Sequence, residues 1–190
     1  MTDPDSLLST VQRLLALLEE RRVRYALVGG VALLAYVEGR NTQDIDLILA
    51  RTALRKIPEI RIAHQEQDFA RGEFEGLQVD LLLTRNPLFA YVLRRHVVSQ
   101  RFAEREIPTA TVEGLLLLKL YALPSLYRQG DFVRVGLYEN DIATLVYAYQ
   151  ADLAPLLQTL AKHLSEGDLA ELREIAADIE RRIQRFRAAR

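Results

Sequence analysis

Residues 25–49 read YALVGGVALLAYVEGRNTQDIDLIL, and this stretch decides how the chain folds. An apolar run ends at two glycines, a short helical pattern and a polar turn follow, and a second apolar run then carries Asp44 and Asp46. Because residues i and i+2 of a strand point to the same face, the two aspartates are expected to project together from one side of a sheet. Two carboxylates on an otherwise apolar strand repel each other unless a cation lies between them. The pattern therefore predicts a cation site.

The paired glycines predict a second part of the same site. Gly29 and Gly30 follow the first strand, where the missing side chains let a phosphate approach the backbone and a helix N-terminus favours negative charge. Alone, such glycines mark any tight turn. Ahead of the Asp pair, they predict a site for a triphosphate bound to a metal ion. In the loop before the aspartates, Arg40 is expected near the phosphates or the acceptor and Thr42 as a brace of the loop; the alternative is a solvated arginine and a turn-capping threonine.

Segment 39–46, GRNTQDID, resembles a known signature. It is similar to the Arg-x-Thr-x-Asp-x-Asp form of AbiEii-type toxins, which belong to the nucleotidyltransferase superfamily with the polymerase-β-like fold. It also resembles the aminoglycoside and lincosamide nucleotidyltransferases. Gly30 departs from the serine that many members of the superfamily carry. That departure leaves backbone N–H groups to bind phosphate at this position.

The resemblance implies a third carboxylate on a neighbouring strand. Residues 69–83 alternate and then become apolar around a Glu-Gly pair, which predicts a hairpin whose return strand contains Asp80. We assign the third carboxylate to Asp80. Asp44, Asp46 and Asp80 would then hold two Mg²⁺ ions, or Mn²⁺, one acting on the attacking hydroxyl and one on the leaving pyrophosphate. The alternative for each is an aspartate at a strand end or turn near the surface.

Lys119 follows four leucines on a predicted helix, where a lysine without a partner would extend to solvent. AbiEii-like proteins carry a lysine on a comparable helix, followed by an aspartate-bearing segment. The resemblance implies that Lys119 contacts the triphosphate and that Asp141 positions Lys119 or acts as a base. Residues 124–140 depart from the family pattern because they are longer and lack its Arg-Asp pair. The alternative is two residues on a helix surface.

The order of patterns predicts an α+β protein. A small mixed sheet flanked by helices is expected in residues 1–108, the nucleotidyltransferase core, with an all-helical region packed on it in residues 109–190. Strands are predicted at 25–28, 44–50, 77–83 and 96–102, with an earlier arm of the hairpin beginning at residue 69. Helices are predicted at about 6–22, 31–38, 52–57, from Asn86-Pro87 onward, from Thr111 to a stop at Pro124, and at 137–149, 152–164 and 168–188.

Composition excludes several classes of site. The chain has 190 residues, 49% of them hydrophobic, which is ample for a core. It has no cysteine, so disulfides and cysteine zinc sites are excluded. A formal net charge of −1 argues against strong indiscriminate binding of nucleic acid. With no apolar run of spanning length and no secretory pattern, we expect a soluble, cytoplasmic protein without a membrane partner.

The function that the resemblance implies is transfer of a nucleoside monophosphate (NMP) from a nucleoside triphosphate (NTP) to an acceptor hydroxyl. For an AbiEii-like chain, the acceptor would be RNA, with tRNA 3′ ends used by some relatives, and the chain would be the toxin of a type IV toxin–antitoxin system with a cognate antitoxin. One alternative keeps the chemistry and changes the acceptor to a small molecule or a protein side chain. The other is a catalytically silent nucleotide-binding module, against which the three costly carboxylates argue.

Arginines outside this motif could contact nucleic acid. Arg128 and Arg134 flank the segment after Pro124, where solvated loop positions are the simpler interpretation. The C-terminal segment 181–190 holds five arginines on a predicted helix. A helix end that favours cations explains them, and an RNA-backbone contact is the alternative hypothesis.

Overall fold

A computed structural model describes residues 4–38, 44–102 and 104–188 of the chain. The chain divides into two compact units, Met1–Thr111 and Val112–Arg190. The first unit contains a seven-stranded sheet, and the described residues of the second form helices. The prediction of an α+β fold, with a mixed sheet flanked by helices and a helical C-terminal region, is confirmed.

The first unit alternates helices and strands around one mixed sheet. The strand order is β3-β4-β5-β2-β1-β7-β6; β2 is parallel to β5 and β1 to β7, and the other neighbours are antiparallel. In chain order the elements are α1 (Pro4–Glu20), β1 (Tyr25–Val28), α2 (Gly29–Leu33), β2 (Asp44–Leu49), a 3-10 helix (Arg51–Lys56), β3 (Arg61–Gln65), β4 (Phe69–Phe74), β5 (Leu77–Leu83), α3 (Pro87–Arg95), β6 (Val97–Phe102) and β7 (Arg105–Ala110).

The central strands β1, β2 and β5 form because they bury their apolar side chains. At one end of these strands the side chains are buried on both faces of the sheet. β1 is buried throughout, and Ile45, Leu47, Val79 and Leu81 are fully buried on one face of β2 and β5. Alternate positions on the other face of β2 and β5 carry the polar side chains, because successive residues of a strand point to opposite sides. One face of β2 and β5 is therefore core, and the other carries carboxylates, with Asp44 and Asp46 at the start of β2 and Asp80 in the middle of β5.

One predicted element of the first unit, the helix after the paired glycines, begins and ends at other residues than predicted. α2 is Gly29–Leu33 and not 31–38, so the glycines are its first residues instead of a turn that precedes it. Residues 34–36, which were predicted as part of this helix, form hydrogen-bonded turns instead. The hairpin of β4 and β5 and the helix opened by Asn86 are confirmed; the Asn86 side chain accepts hydrogen bonds from the N–H groups of Leu88 and Phe89.

Sequence patterns missed two strands, β3 and β7. All five residues of β3 are exposed, so the strand shows no alternation of buried and exposed positions that would predict it. β7 contains Pro108, which argues against a strand because proline cannot donate a ladder hydrogen bond. β7 nevertheless lies between β1 and β6.

The second unit consists of four helices in its described part: α4 (Val112–Gln129), α5 (Phe132–Tyr149), α6 (Leu153–Leu160) and α7 (Glu166–Ala188). Pro124 does not end α4 as predicted, but lies inside it. A proline in a helix interior costs about 3 kcal/mol, and burial of Leu123 and Leu126 on either side of it offsets this cost. The helix ends instead at Gln129, and Gly130 directly after it has a φ of +68°, which suits a residue that terminates a helix.

None of the helices in the described parts of the chain combines the length and the apolar composition of a membrane-spanning segment.

Candidate active site

Three of the predicted site residues lie on one face of the sheet in the first unit. β2 and β5 run parallel in a register that places Asp46 beside Asp80 and Asp44 beside Gln78. Aligned residues of neighbouring strands point to the same face and lie roughly 5 Å apart. The structure therefore brings Asp44, Asp46 and Asp80 to the same side of the sheet, as the sequence predicted. Asp44 and Asp46 are half-buried and Asp80 is buried.

Gly29 lies directly against the Asp46 carboxylate. Its φ is +65°, and a Cβ atom at this position would lie 1.8 Å from Asp46 Oδ2 and 2.4 Å from Asp46 Cγ. Real Cβ contacts are never this short, so glycine is required here for both its backbone conformation and its missing side chain. The sequence predicted a glycine that makes room for phosphate; the structure shows one that makes room for the carboxylate.

Helix α2, which begins at the paired glycines, is only five residues long. The dipole of a helix grows with the number of aligned peptide units. A helix of this length therefore adds little favourable potential at its N-terminus. The predicted attraction of phosphate to this helix end is correspondingly weak. A role for Gly29 and Gly30 near phosphate would rest on their backbone N–H groups and their small size.

Arg71 is the residue of this face that sequence patterns missed. It lies on β4 opposite Asp80, and its guanidinium donates from Nε to Asp80 Oδ1 at 2.7 Å and from Nη2 to Asp80 Oδ2 at 2.8 Å. These hydrogen bonds raise the pKa of Arg71; burial opposes the rise, and the charges of Asp80, Asp44 and Asp46 add to it. Arg71 is thus a fixed positive charge within reach of all three carboxylates.

The carboxylates can be tested as ligands of a divalent cation. Oxygen ligands suit Mg²⁺, which proteins commonly bind through one or two carboxylates together with substrate phosphates. Asp44 and Asp46 fit that description, and the missing side chain of Gly29 leaves room for the Asp46 carboxylate. Within the described residues, however, no group of three or more His, Asp or Glu side chains is arranged to hold a metal ion. The third carboxylate, Asp80, is instead bound by the Arg71 guanidinium through two hydrogen bonds.

Lys119 and Asp141 belong to the second unit, on α4 and α5. Lys119 Nζ lies 2.8 Å from Asp141 Oδ2, both side chains are almost fully buried, and Nζ is 4.2 Å from the centre of the Tyr138 ring. The sequence-based alternative of a solvated lysine is therefore wrong. The pairing agrees with an aspartate that positions the lysine, although a purely structural ion pair would have the same geometry.

The buried Lys119–Asp141 pair predicts how single and double substitutions change the free energy of unfolding. Lys119→Met and Asp141→Leu each break this buried ion pair by removing one of its two charges, so each single change should lower the free energy of unfolding by about 3 to 5 kcal/mol. The double variant should be closer to wild type than either single variant, since no unpaired charge remains. Urea unfolding followed by circular dichroism measures all four proteins. Additive losses would show that the two charges do not depend on each other.

The remaining predicted site residues divide into two groups. Arg40 and Thr42 lie outside the described residues. Three arginines of the second unit hold partners within the chain: Arg128 pairs with Asp168, Arg134 Nε lies 3.6 Å from Asp131 Oδ2, and Arg182 Nη2 lies 2.9 Å from Glu139 Oε2.

The C-terminal arginines line a cavity of about 320 Å³ in the second unit. Its lining is mixed in charge, comprising Tyr127, Glu139, Ile175, Asp178, Arg181, Arg182 and Arg185. Arg181 pairs with Asp178, as Arg182 does with Glu139. Carboxylates beside two of the arginines reduce the attraction of this surface for a phosphate backbone, so the structure adds no support to the RNA-contact hypothesis.

Comparison with solved structures identifies the fold. The solution structure of the antibiotic-resistance factor ANT(2'')-Ia superimposes with a TM-score of 0.59 and 12% sequence identity, over 99% of this chain and 100% of that one. An antigenic nucleotidyltransferase-like protein from Paracoccidioides brasiliensis gives a TM-score of 0.56 and 18% identity, over 95% of this chain and 93% of that one. The chain has a nucleotidyltransferase fold.

A crystal structure of ANT(2")-Ia in complex with adenylyl-2"-tobramycin is also similar, with a TM-score of 0.51 and 16% identity over 75% of this chain and 96% of that one. No protein-family model matches the sequence, and no curated protein matches it. At these identities the similarity establishes the nucleotidyltransferase fold, and the function must be argued from the site.

Proposed function

We propose that the chain transfers an NMP from an NTP to an acceptor hydroxyl and releases pyrophosphate, in a reaction that depends on Mg²⁺ or Mn²⁺. The observation that carries this proposal is the row of carboxylates on one sheet face, with Asp46 in register beside Asp80, Asp44 on the same face, and Gly29 against Asp46. Three acidic side chains so close together are costly for the fold, and a cation-dependent reaction is a reason to keep them.

Each carboxylate has a separate task in this proposal. Asp44 and Asp46 would hold the two divalent metal ions, and Asp80 would complete the side of the site from which the acceptor hydroxyl approaches. The acceptor oxygen forms a bond to the α-phosphorus while the bond from that phosphorus to the bridging oxygen of the β-phosphate breaks, and the hydroxyl proton passes to a carboxylate of the site. When bound, the metal ion supplies positive charge that neutralises the phosphate oxygens and the departing pyrophosphate.

The other residues of the proposed site bind the triphosphate. We assign phosphate binding to the backbone N–H groups of Gly29 and Gly30, a role near the phosphates to Arg40, and bracing of the loop to Thr42. Lys119 contributes positive charge to the triphosphate, with Asp141 holding its ammonium group in place. These assignments follow the resemblance of the sequence to AbiEii-type proteins.

Two acceptor classes are supported by different observations. Likeness in fold to ANT(2")-Ia, solved with adenylyl-2"-tobramycin, favours a small molecule with a free hydroxyl. The motif at residues 39–46 instead favours RNA, with tRNA as the first substrate to try, and with it a type IV toxin role and a cognate antitoxin. A protein side chain is the third class, because Ser, Thr and Tyr also present hydroxyls.

An acceptor panel tests the proposal. Purified protein is incubated with Mg²⁺ and each α-labelled NTP in turn, with total tRNA, tobramycin or cleared lysate as acceptor. Label on tRNA supports the toxin hypothesis; label on tobramycin or on another small molecule supports the second class; label on lysate protein supports the third. Absence of transfer with every NTP and acceptor would contradict the proposed enzyme and favour a nucleotide-binding module.

A further inference from the structure

The Arg71–Asp80 pair differs from ordinary surface ion pairs in its geometry. The guanidinium engages both oxygens of the carboxylate through two hydrogen bonds, and the Asp80 side chain is only 9% exposed. Charge-assisted bonds of this forked kind are the stronger and more directional class. Asp80 is therefore held by a cation that the protein itself supplies.

The neighbouring row of the same face supplies an internal comparison. Arg61 on β3 pairs with Glu73 on β4 through a single contact of 3.2 Å, with side chains 78% and 52% exposed. An exposed pair of this kind contributes little to stability or to local potential. Arg71 instead lies beside a buried carboxylate and feels the charges of Asp44 and Asp46 as well. Position on the sheet, and not simply the presence of an arginine, makes Arg71 part of the carboxylate site.

We propose that Arg71 is a built-in cation of the carboxylate site that takes the place of one of the two divalent ions expected there. Asp44 and Asp46 then bind one divalent ion, and Asp80 stays bound to the Arg71 guanidinium as a positioned carboxylate that is not a metal ligand. This proposal rests on the proposed function and specifies how its site is charged. The guanidinium compensates Asp80, which would otherwise repel the carboxylates of Asp44 and Asp46.

Removing the guanidinium should change the number of ions that the protein binds. In Arg71→Met the side chain keeps much of its volume and loses its charge, so Asp80 becomes available as a ligand beside Asp46. The variant is expected to bind two Mn²⁺ ions per chain where wild type binds one. Two ions sharing such a site lie about 4 Å apart and are magnetically coupled, which gives a spectrum that a single ion cannot give.

The experiment is a Mn²⁺ titration of the full chain followed by electron paramagnetic resonance, with free Mn²⁺ counted by its signal. The proteins are wild type, Arg71→Met, the control Arg61→Met and the double variant Arg71→Met/Asp80→Asn, each checked for folding by circular dichroism. One bound ion in wild type and Arg61→Met, and a coupled pair in Arg71→Met, support the proposal. The double variant Arg71→Met/Asp80→Asn loses both charges of the pair, so it should bind a single ion with about the wild-type dissociation constant, and it decides the question if Arg71→Met does not fold.

Other results overturn the proposal in distinguishable ways. A coupled pair of ions in wild type, or loss of the single ion in Arg71→Met/Asp80→Asn, would show that Asp80 is a metal ligand; NMP transfer would still stand. A single ion in a folded Arg71→Met would show that Arg71 only stabilises the sheet. No Mn²⁺ bound by any of the proteins would overturn both this proposal and the metal dependence of the proposed function.

Discussion

Replacing Asp46 by Asn is expected to abolish NMP transfer while the protein remains folded. Asp46 lies between Gly29 and Asp80 on the sheet face, so its carboxylate is the central charge of the proposed metal site. An amide of the same shape keeps the packing and removes that charge. Loss of the bound ion forfeits several kcal/mol of charge stabilisation, which corresponds to a fall in rate of about a thousandfold or more.

The same variant should be at least as stable as wild type. Neutralising one of three neighbouring carboxylates relieves repulsion, so the melting temperature in chelator should stay the same or rise. Thermal unfolding measures this, with Glu73→Gln as the matched control: Glu73 lies on the same face, is exposed, and has no part in the proposed site. Transfer by Asp46→Asn at the rate of Glu73→Gln would contradict the role assigned to Asp46.

Replacing Gly29 by Ala should also remove most of the activity, for a steric reason. The new Cβ would lie 1.8 Å from Asp46 Oδ2 and overlap it. The carboxylate or the backbone must therefore move. The φ of +65° adds roughly 1 to 2 kcal/mol of strain for a residue with a side chain. Since displacement of a site group by about 1 Å can cost a hundredfold in rate, we expect a loss of about that size.

Gly76→Ala separates the two causes. Gly76 also has positive φ, +83°, but an added Cβ would meet no atom within 4 Å. Gly76→Ala should therefore have the backbone strain without the steric overlap, and it should keep its transfer rate. Steady-state rates and urea unfolding of both variants are the measurement. Equal rates in Gly29→Ala and Gly76→Ala would show that the contact between Gly29 and Asp46 does not matter for catalysis.

The elements that position the carboxylates could be predicted from the sequence. Apolar runs bounded by glycines and polar turns gave β1, β2 and β5, because a buried strand needs little else to be recognised. The i, i+2 spacing placed Asp44 and Asp46 on one face, and the structure agrees. Parallel pairing of β2 with β5, which sets Asp46 beside Asp80, is a tertiary contact that local patterns do not encode.

What the sequence did not predict has identifiable physical causes. The exposed strand β3 and the proline-containing strand β7 are held by their neighbours in the sheet and lack a local signal. Pro124 lies inside α4 because burial of the helix outweighs the local penalty. The contact of Gly29 with Asp46 joins residues seventeen positions apart on separate elements, so the reason for that glycine was visible only in three dimensions.

Arg71 could have been found by extending the predicted hairpin. The turn pairs Phe74 with Leu77, and counting three residues outward along each strand places Arg71 opposite Asp80. An arginine across from an embedded carboxylate is a candidate ion pair, because cross-strand neighbours of opposite charge attract. The register of a two-residue hairpin thus carries information about a site that a search for motifs does not use.

The central claim is that the α-phosphoryl group, with its nucleoside, moves to the acceptor. The most direct test follows the position of the label: parallel reactions contain an NTP labelled at the α-phosphate or at the γ-phosphate, with Mg²⁺, the acceptor panel, and wild type or Asp46→Asn. We predict that wild type places the α-label on an acceptor and releases the γ-label as pyrophosphate, and that Asp46→Asn does neither. Transfer of the γ-label to the acceptor, or equal transfer of the α-label by both proteins, would contradict the account.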